Sequence, residues 1–218
     1  MKSVIFVTGS GVGIGKTVVS AILTEALEAD YWKPVQAGFA HGTDTEWVQS
    51  MITNPQSVIH PEVYKFKMDG PPHIAAREEG VKVSMEKIFA AYCLLPSANK
   101  TLVIEGAAGL VTPLNDHEFV ADLIRVLNAK VILVSRNYPD SINHSLLTSK
   151  VCRQKNLRMG GWIFNDRYLD YEEEIVRWSG FPSLGSIPKF DTITKQVIAE
   201  TAAAIKKNIL QVLPSQHA

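Results

Sequence analysis

The run Val4-Ile5-Phe6-Val7-Thr8-Gly9-Ser10-Gly11-Val12-Gly13-Ile14-Gly15-Lys16-Thr17 constrains the fold of this 218-residue chain more than any other stretch. Its β-branched, apolar beginning predicts a buried strand. A glycine-rich turn follows, and Gly15-Lys16-Thr17 then opens a helix, which is the strand–loop–helix setting of a phosphate-binding P-loop. The chemistry explains the residue types. A glycine-rich turn can aim successive backbone N–H groups at phosphate oxygens, and the helix adds its N-terminal partial positive charge. Lys16 reaches the outer phosphates in such a loop, and the Thr17 hydroxyl is a ligand for Mg²⁺. The strict pattern wants a glycine five residues before Gly15. That position is Ser10 and the first glycine stands one place earlier, so the loop is a variant. The dinucleotide pattern G-x-G-x-x-G fails in either register, ending on Ile14 or Lys16.

The length suits one domain, residues 1–218, with a full core. Twenty-two basic and 22 acidic side chains cancel, so no bulk field favours nucleic acid or an anionic membrane. Cys93 and Cys152 have neither metal-ligand spacing nor a framework pattern and read as buried thiols of a reducing compartment. The chain enters its first strand without a signal peptide, and no apolar run is long enough to span a bilayer. A cytoplasmic protein is expected.

Further along, Val18–Glu28 has apolar residues at helical spacing, and Tyr31–Val35 reads as a second strand leading into Lys33-Pro34-Val35-Gln36-Ala37-Gly38. A lysine at the carboxyl end of a parallel strand stands at the edge where open α/β sheets bind ligands, so Lys33 is a candidate site residue. Thr43 and Glu46 form a capping box. They place Asp44 in a first helical turn, either as a partner for the helix dipole or as a carboxylate near a metal.

Residues 54–83 are broken by prolines and glycines at 55, 61, 70, 71, 72 and 80. They read as a long irregular lid or binding loop. His73 within it is either a ligand group or a structural histidine. Ser84 caps a helix to Leu95. Thr101-Leu102-Val103-Ile104-Glu105 is a strand ending in a carboxylate, followed by Gly106-Ala107-Ala108-Gly109 and Thr112-Pro113-Leu114. P-loop proteins place their Mg²⁺-side acid at the end of such a strand.

Glu118–Leu127 reads as a helix and Lys130–Ser135 as another buried strand. A helix then begins near Ser141-Ile142-Asn143, with Asp140 or Ser141 as its cap; its N-terminus either is simply capped or holds a carboxylate. The strand Met159–Phe164 runs into Asn165-Asp166, which either read a purine edge or are turn residues. A short strand Gly185–Pro188 and an amphipathic helix Ile193–Leu213, with Ile198, Ala202, Ile205 and Ile209 as its apolar stripe, close the chain. Five or six β–α units with a P-loop predict an α/β fold, a doubly wound and mostly parallel sheet with helices on both faces.

Taken in order, Phe6-Val7-Thr8-Gly9, Gly15-Lys16-Thr17-Val18, Lys33-Pro34-Val35, Pro72-His73, Glu105-Gly106-Ala107-Ala108-Gly109 with Thr112-Pro113-Leu114, Ile142-Asn143-His144 and Asn165-Asp166 resemble the dethiobiotin synthetases over nearly the whole chain. The P-loop is common to many ATPases; the lysine-proline-valine strand combined with glutamate-glycine-alanine and threonine-proline-leucine is far more specific.

The resemblance implies an ATP- and Mg²⁺-dependent cyclo-ligase of biotin synthesis that joins CO₂ to 7,8-diaminononanoate, and a homodimer. It implies that Lys33 and Lys16 are the catalytic lysines and that Thr17, Asp44 and Glu105 hold Mg²⁺. Nucleotide contacts would come from Gly13, Ile14, Gly15, Lys16, Thr17, Val18, Asp44, Glu105, Gly106, Ala107 and Ala108, with Asn165 and Asp166 reading the base. Substrate contacts would come from Lys33, Ala37, Thr112, Ser141, Ile142 and Asn143, the last three from the other subunit.

The sequence departs from the family where an acidic residue and a threonine–glutamate pair are replaced by Gly11, Val12 and Gly13, and a serine by Ala37. Two rivals fit less well. A partitioning or septum-positioning ATPase switch carries a lysine five residues before Lys16, where this chain has Gly11. An amidotransferase-like ligase needs a nucleophilic cysteine and a second domain.

Overall fold

The computed structural model describes residues 3–96, 100–167 and 171–212. In chain order the elements are β1 (Val4–Gly9), α1 (Lys16–Leu27), β2 (Asp30–Trp32), β3 (Val35–Ala37), α2 (Asp44–Met51), β4 (Ile59–His60), β5 (Tyr64–Phe66), α3 (Pro72–Glu78), α4 (Met85–Leu94), β6 (Leu102–Glu105), α5 (Val120–Val126), β7 (Lys130–Arg136), α6 (Ser141–Gln154), β8 (Arg158–Arg167), α7 (Glu172–Ser179), β9 (Ser183–Pro188) and α8 (Lys195–Val212). Leu213, the expected end of the tail helix, lies outside the described residues.

Seven strands form one sheet in the order β4-β2-β6-β1-β7-β8-β9, and every pairing in it is parallel. The strand order reverses at β1, which has β6 on one side and β7 on the other. The crevice beyond the carboxyl ends at such a switch point is where open α/β sheets take ligands, and the P-loop follows β1 into it.

Alternation along β1 divides the core between the two faces of the sheet. Val4 and Phe6 join one buried cluster with residues of α3 to α7. Ile5 and Val7 join the other with α1, α2 and α8, including the stripe Ile198, Ala202, Ile205 and Ile209. Helices therefore cover both faces, as the doubly wound reading expects.

Three expectations need correction. Tyr31–Val35 is not one strand: β2 ends at Trp32, and β3 begins at Val35 in a separate two-stranded parallel sheet with β5. Pro34 between them has no N–H for a ladder; its carbonyl instead accepts from Val63 and Tyr64 at 2.9 and 3.0 Å. Lys33 therefore stands in the break between two sheets. The segment 54–83 is less irregular than its prolines suggest, because it holds β4, β5 and α3, with Pro72 at the first position of α3, where a missing N–H does no harm. Cys152 is buried and burial pushes its thiol up to about 12, but Cys93 is exposed.

Candidate active site

Four chain segments converge on a cleft of about 1250 Å³: the P-loop, residues 33–44, residues 67–73 and residues 105–113, with the flank of α6 beside them. The long middle segment thus contributes to the cleft, as a binding loop should, through Lys67, Asp69 and Gly70 to His73.

The P-loop takes its shape from backbone geometry and close approach. Gly15, the N-cap of α1, has φ +89°, and a Cβ there would lie 2.0 Å from Asn165 Nδ2. Asn165 Nδ2 donates to the Ile14 carbonyl at 3.1 Å, so the end of β8 holds the loop from below. Arg136, the last residue of β7, holds it from the side: one guanidinium N–H donates to the Gly13 carbonyl at 3.2 Å, and Nε pairs with Asp166 at 2.7 Å. Val12 at the loop tip is 81 % exposed. Lys16 folds back over the loop and donates to the Gly11 carbonyl at 2.6 Å. Burial lowers its ammonium to about 8, although the Glu105 carboxylate pulls the other way.

Glu105 is the centre of the charged cluster. The β1–β6 register sets it opposite Val7, immediately before the loop, and it is 1 % exposed. Its Oε1 accepts from the Thr17 hydroxyl at 2.9 Å and from Lys33 Nζ at 3.1 Å; its Oε2 accepts from the Tyr31 hydroxyl at 2.9 Å. Lys33 also pairs with Asp44. Asp44 is delivered by the capping box expected from the sequence: Glu46 N–H donates to Thr43 Oγ1 at 3.1 Å, and Thr43 N–H donates to Glu46 Oε2 at 2.7 Å. Burial opposes a charge on Lys33, but Glu105 and Asp44 outweigh it and hold the ammonium above its ordinary range.

Lys16, Thr17, Lys33, Asp44 and Glu105, separated by up to 89 residues in sequence, are therefore one cluster. Gly13, Gly15, Val18, Ala37, Ala107, Ala108 and Thr112 also line the cleft. Ile14 and Gly106 support its wall: Gly106 N–H donates to the Val7 carbonyl at 2.9 Å, and Ile14 receives Asn165.

Ser141, Ile142 and Asn143 do not line this cleft; α6 reaches it through His144, Leu147, Thr148 and Val151. Asp140 stands at the N-cap of α6, as one of the two expected caps, but its side chain makes no capping bond. Instead Ser141 Oγ donates to Tyr171 at 2.6 Å, and the Tyr171 hydroxyl donates to the Tyr138 carbonyl at 2.8 Å. Sequence reasoning missed Tyr31 and Arg136. Only the spacing of Tyr31 and Lys33 two residues apart, which suits one strand face, hinted at the first; nothing in the sequence marked the second.

The family model described as an AAA domain matches residues 3–197. A curated protein of Cytophaga hutchinsonii named ATP-dependent dethiobiotin synthetase BioD is 45 % identical over 202 residues, covering 92 % of this chain and 95 % of that one. The chain belongs to the dethiobiotin synthetase family. Relatives of the same name from Christiangramia forsetii and Brucella ovis are 38 % and 36 % identical, covering 95 % and 93 % of this chain and 98 % and 94 % of theirs.

Solved structures place this chain among P-loop folds. The septum site-determining protein MinD of Pyrococcus horikoshii, complexed with Mg-ADP, has a TM-score of 0.59 at 17 % identity, covering 97 % of this chain and 96 % of that one. A ParA family ATPase of Chlorobium tepidum has a TM-score of 0.56 at 15 % identity, covering 99 % and 94 %. At such identities the likeness is one of fold. Among the described residues no helix is long and apolar enough to cross a membrane.

Proposed function

We propose that this chain is an ATP-dependent ligase that carboxylates 7,8-diaminononanoate and closes its ureido ring to give dethiobiotin. The kinship with proteins of that name over nearly the whole chain carries the reading. One amine of the substrate adds to CO₂ and loses a proton, giving a carbamate. A carbamate oxygen attacks the γ-phosphorus of ATP, releasing ADP and forming a carbamic–phosphoric anhydride. The second amine attacks the carbamoyl carbon, phosphate leaves, and the ring closes.

Little of this needs covalent help from the protein; it needs positioning and positive charge where phosphoryl oxygens gather charge. Lys16 and the P-loop N–H groups hold the outer phosphates. Lys33, the cation that enters the cleft from the break between β2 and β3, stabilises the carbamate and the transferring phosphoryl group. Thr17, Asp44 and Glu105 offer a hydroxyl and two carboxylates, the all-oxygen donor set that suits Mg²⁺. Among the described residues no cluster of three or more His, Cys, Asp or Glu forms a complete cage. Mg²⁺ is usually held by one or two carboxylates together with substrate phosphates and water. Bound there, Mg²⁺ would supply charge neutralisation to the phosphates.

Ser141, Ile142 and Asn143 at the start of α6 are the candidates for holding the substrate carboxylate in the other subunit of a homodimer. Asn165 and Asp166 stand beside the P-loop and are the candidates for reading the adenine edge.

The test is phosphate release from ATP and Mg²⁺ with bicarbonate, with and without 7,8-diaminononanoate. Release that requires the diamine and matches dethiobiotin formed is the expected outcome. Hydrolysis indifferent to the diamine would overturn the reading in favour of an ATPase switch.

A further inference from the structure

The charged cluster contains one group with no part in the proposed chemistry. Tyr31 is fully withdrawn from solvent. Its hydroxyl donates to Glu105 Oε2 at 2.9 Å, while the opposite oxygen of that carboxylate receives Thr17 and Lys33. The register explains the arrangement. β2 runs beside β6 with Tyr31 opposite Val103 and Trp32 opposite Ile104, so Tyr31 and Lys33, two residues apart, reach the Glu105 carboxylate from one edge.

A carboxylate at a strand end can rotate about its terminal bond. Here that rotation would break a buried O–H···O⁻ hydrogen bond and leave a charged oxygen without a donor, a costly exchange in a low-dielectric site.

We propose that Tyr31 is a positioning residue that fixes the Glu105 carboxylate so that Oε1 faces Thr17 and the phosphate side of the cleft. It touches neither nucleotide nor substrate, and it acts only through Glu105. The inference rests on the reading of Glu105 as a Mg²⁺-side acid. Partners that orient a ligating side chain are worth roughly 10- to 100-fold in metal affinity.

The experiment is Mg²⁺ titration of the binding of a non-hydrolysable ATP analogue to the full chain and to Tyr31→Phe, followed by nucleotide fluorescence without any diamine. Tyr31→Phe is expected to raise the half-saturating Mg²⁺ concentration by about 10-fold or more. Analogue affinity without metal is expected to stay within about threefold, because Lys16 and the loop N–H groups are untouched. Loss of metal-free affinity together with an unchanged Mg²⁺ requirement would mark a merely structural role and overturn the proposal, as would an unchanged requirement alone. If Tyr31→Phe does not fold, 3-fluorotyrosine at position 31 keeps the shape and alters the donor strength; a shifted Mg²⁺ midpoint supports the proposal and an unmoved one overturns it. A wild-type chain whose analogue binding ignores Mg²⁺ would overturn the metal assignment of Glu105 and the proposal with it. A chain that binds with Mg²⁺ but makes no dethiobiotin would refute the ligase reading alone.

Discussion

Lys33 Nζ lies 3.1 Å from Glu105 Oε1, and both side chains are almost wholly withdrawn from water. The lysine comes from the break between β2 and β3 and the glutamate from the end of β6, so their meeting depends on the sheet rather than on neighbouring sequence. Lys33→Ala is expected to lower turnover by about 10³-fold or more, the range for removing a cation or donor that acts on developing charge. ATP affinity should change little, because the loop and Lys16 remain. Stability should fall by about 3 kcal/mol, since the deletion leaves the buried Glu105 charge with one donor fewer. Steady-state phosphate release, nucleotide binding and urea unfolding read the three separately. Loss of nucleotide binding would reassign Lys33 to the ATP site.

Lys16 should make ATP binding dependent on pH above neutrality. Its ammonium, lowered to about 8 by burial, is charged below that pH and neutral above it. Phosphate oxygens beside it favour the charged form and raise its pKa in the complex. Binding at about pH 8 should therefore take up roughly half a proton, and affinity should fall as pH rises further. Calorimetry in two buffers of unlike ionisation enthalpy measures the uptake, and Lys16→Met should abolish it. The same shift affects folding. The unfolded chain, with the ordinary lysine value of 10.5, binds more protons than the native one between about 8 and 10.5. The Lys16 contribution to stability therefore rises with pH in that window.

Much of this site was legible because its residues obey short-range rules. Glu105 closes an apolar run, Thr43 and Glu46 stand at capping-box spacing, and Gly15-Lys16-Thr17 follows a strand. Each rule needs only a few neighbours, and each placed its residue correctly. Tyr31 and Arg136 obey no such rule. Tyr31 looks like any strand tyrosine until β6 brings Glu105 to it, and Arg136 looks like a surface residue until β8 brings Asp166. β4, β5 and α3 were obscured by prolines whose positions, at strand margins and at the first helical residue, proved compatible with structure. The helix α7 escaped notice because, apart from Ser179 at its end, it buries only Ile175 and begins with three glutamates.

Arg136 ties the Gly13 carbonyl to Asp166 in a loop where Gly11 and Gly13 have no side chains to brace it. The pair is partly exposed, and such pairs contribute at most about 1 kcal/mol. Arg136→Ala should therefore raise the ATP dissociation constant only about two- to fivefold. Lys at this position should not restore it, since one ammonium cannot reproduce the guanidinium fork. Nucleotide titration of the two variants checks this; a loss beyond about 100-fold would mean that Arg136 contacts the nucleotide itself.

Gly15 is constrained in two ways that can be separated. Its φ of +89° is unfavourable for any residue with a Cβ, and that Cβ would collide with Asn165 Nδ2 at 2.0 Å. Backbone strain of this kind costs about 1–2 kcal/mol, while the collision forces Asn165 off the Ile14 carbonyl. Gly15→Ala alone should lower ATP affinity by about 10-fold or more. Asn165→Ala alone should also weaken binding, because it removes the support beneath the loop. If the collision matters, Gly15→Ala must cost less when Asn165 is already alanine, with a coupling of about 1 kcal/mol. The residual cost in that background measures the backbone strain. Strictly additive losses across the four proteins would show that the loop moves away from Asn165 without resistance, and that the contact does not hold the P-loop in shape.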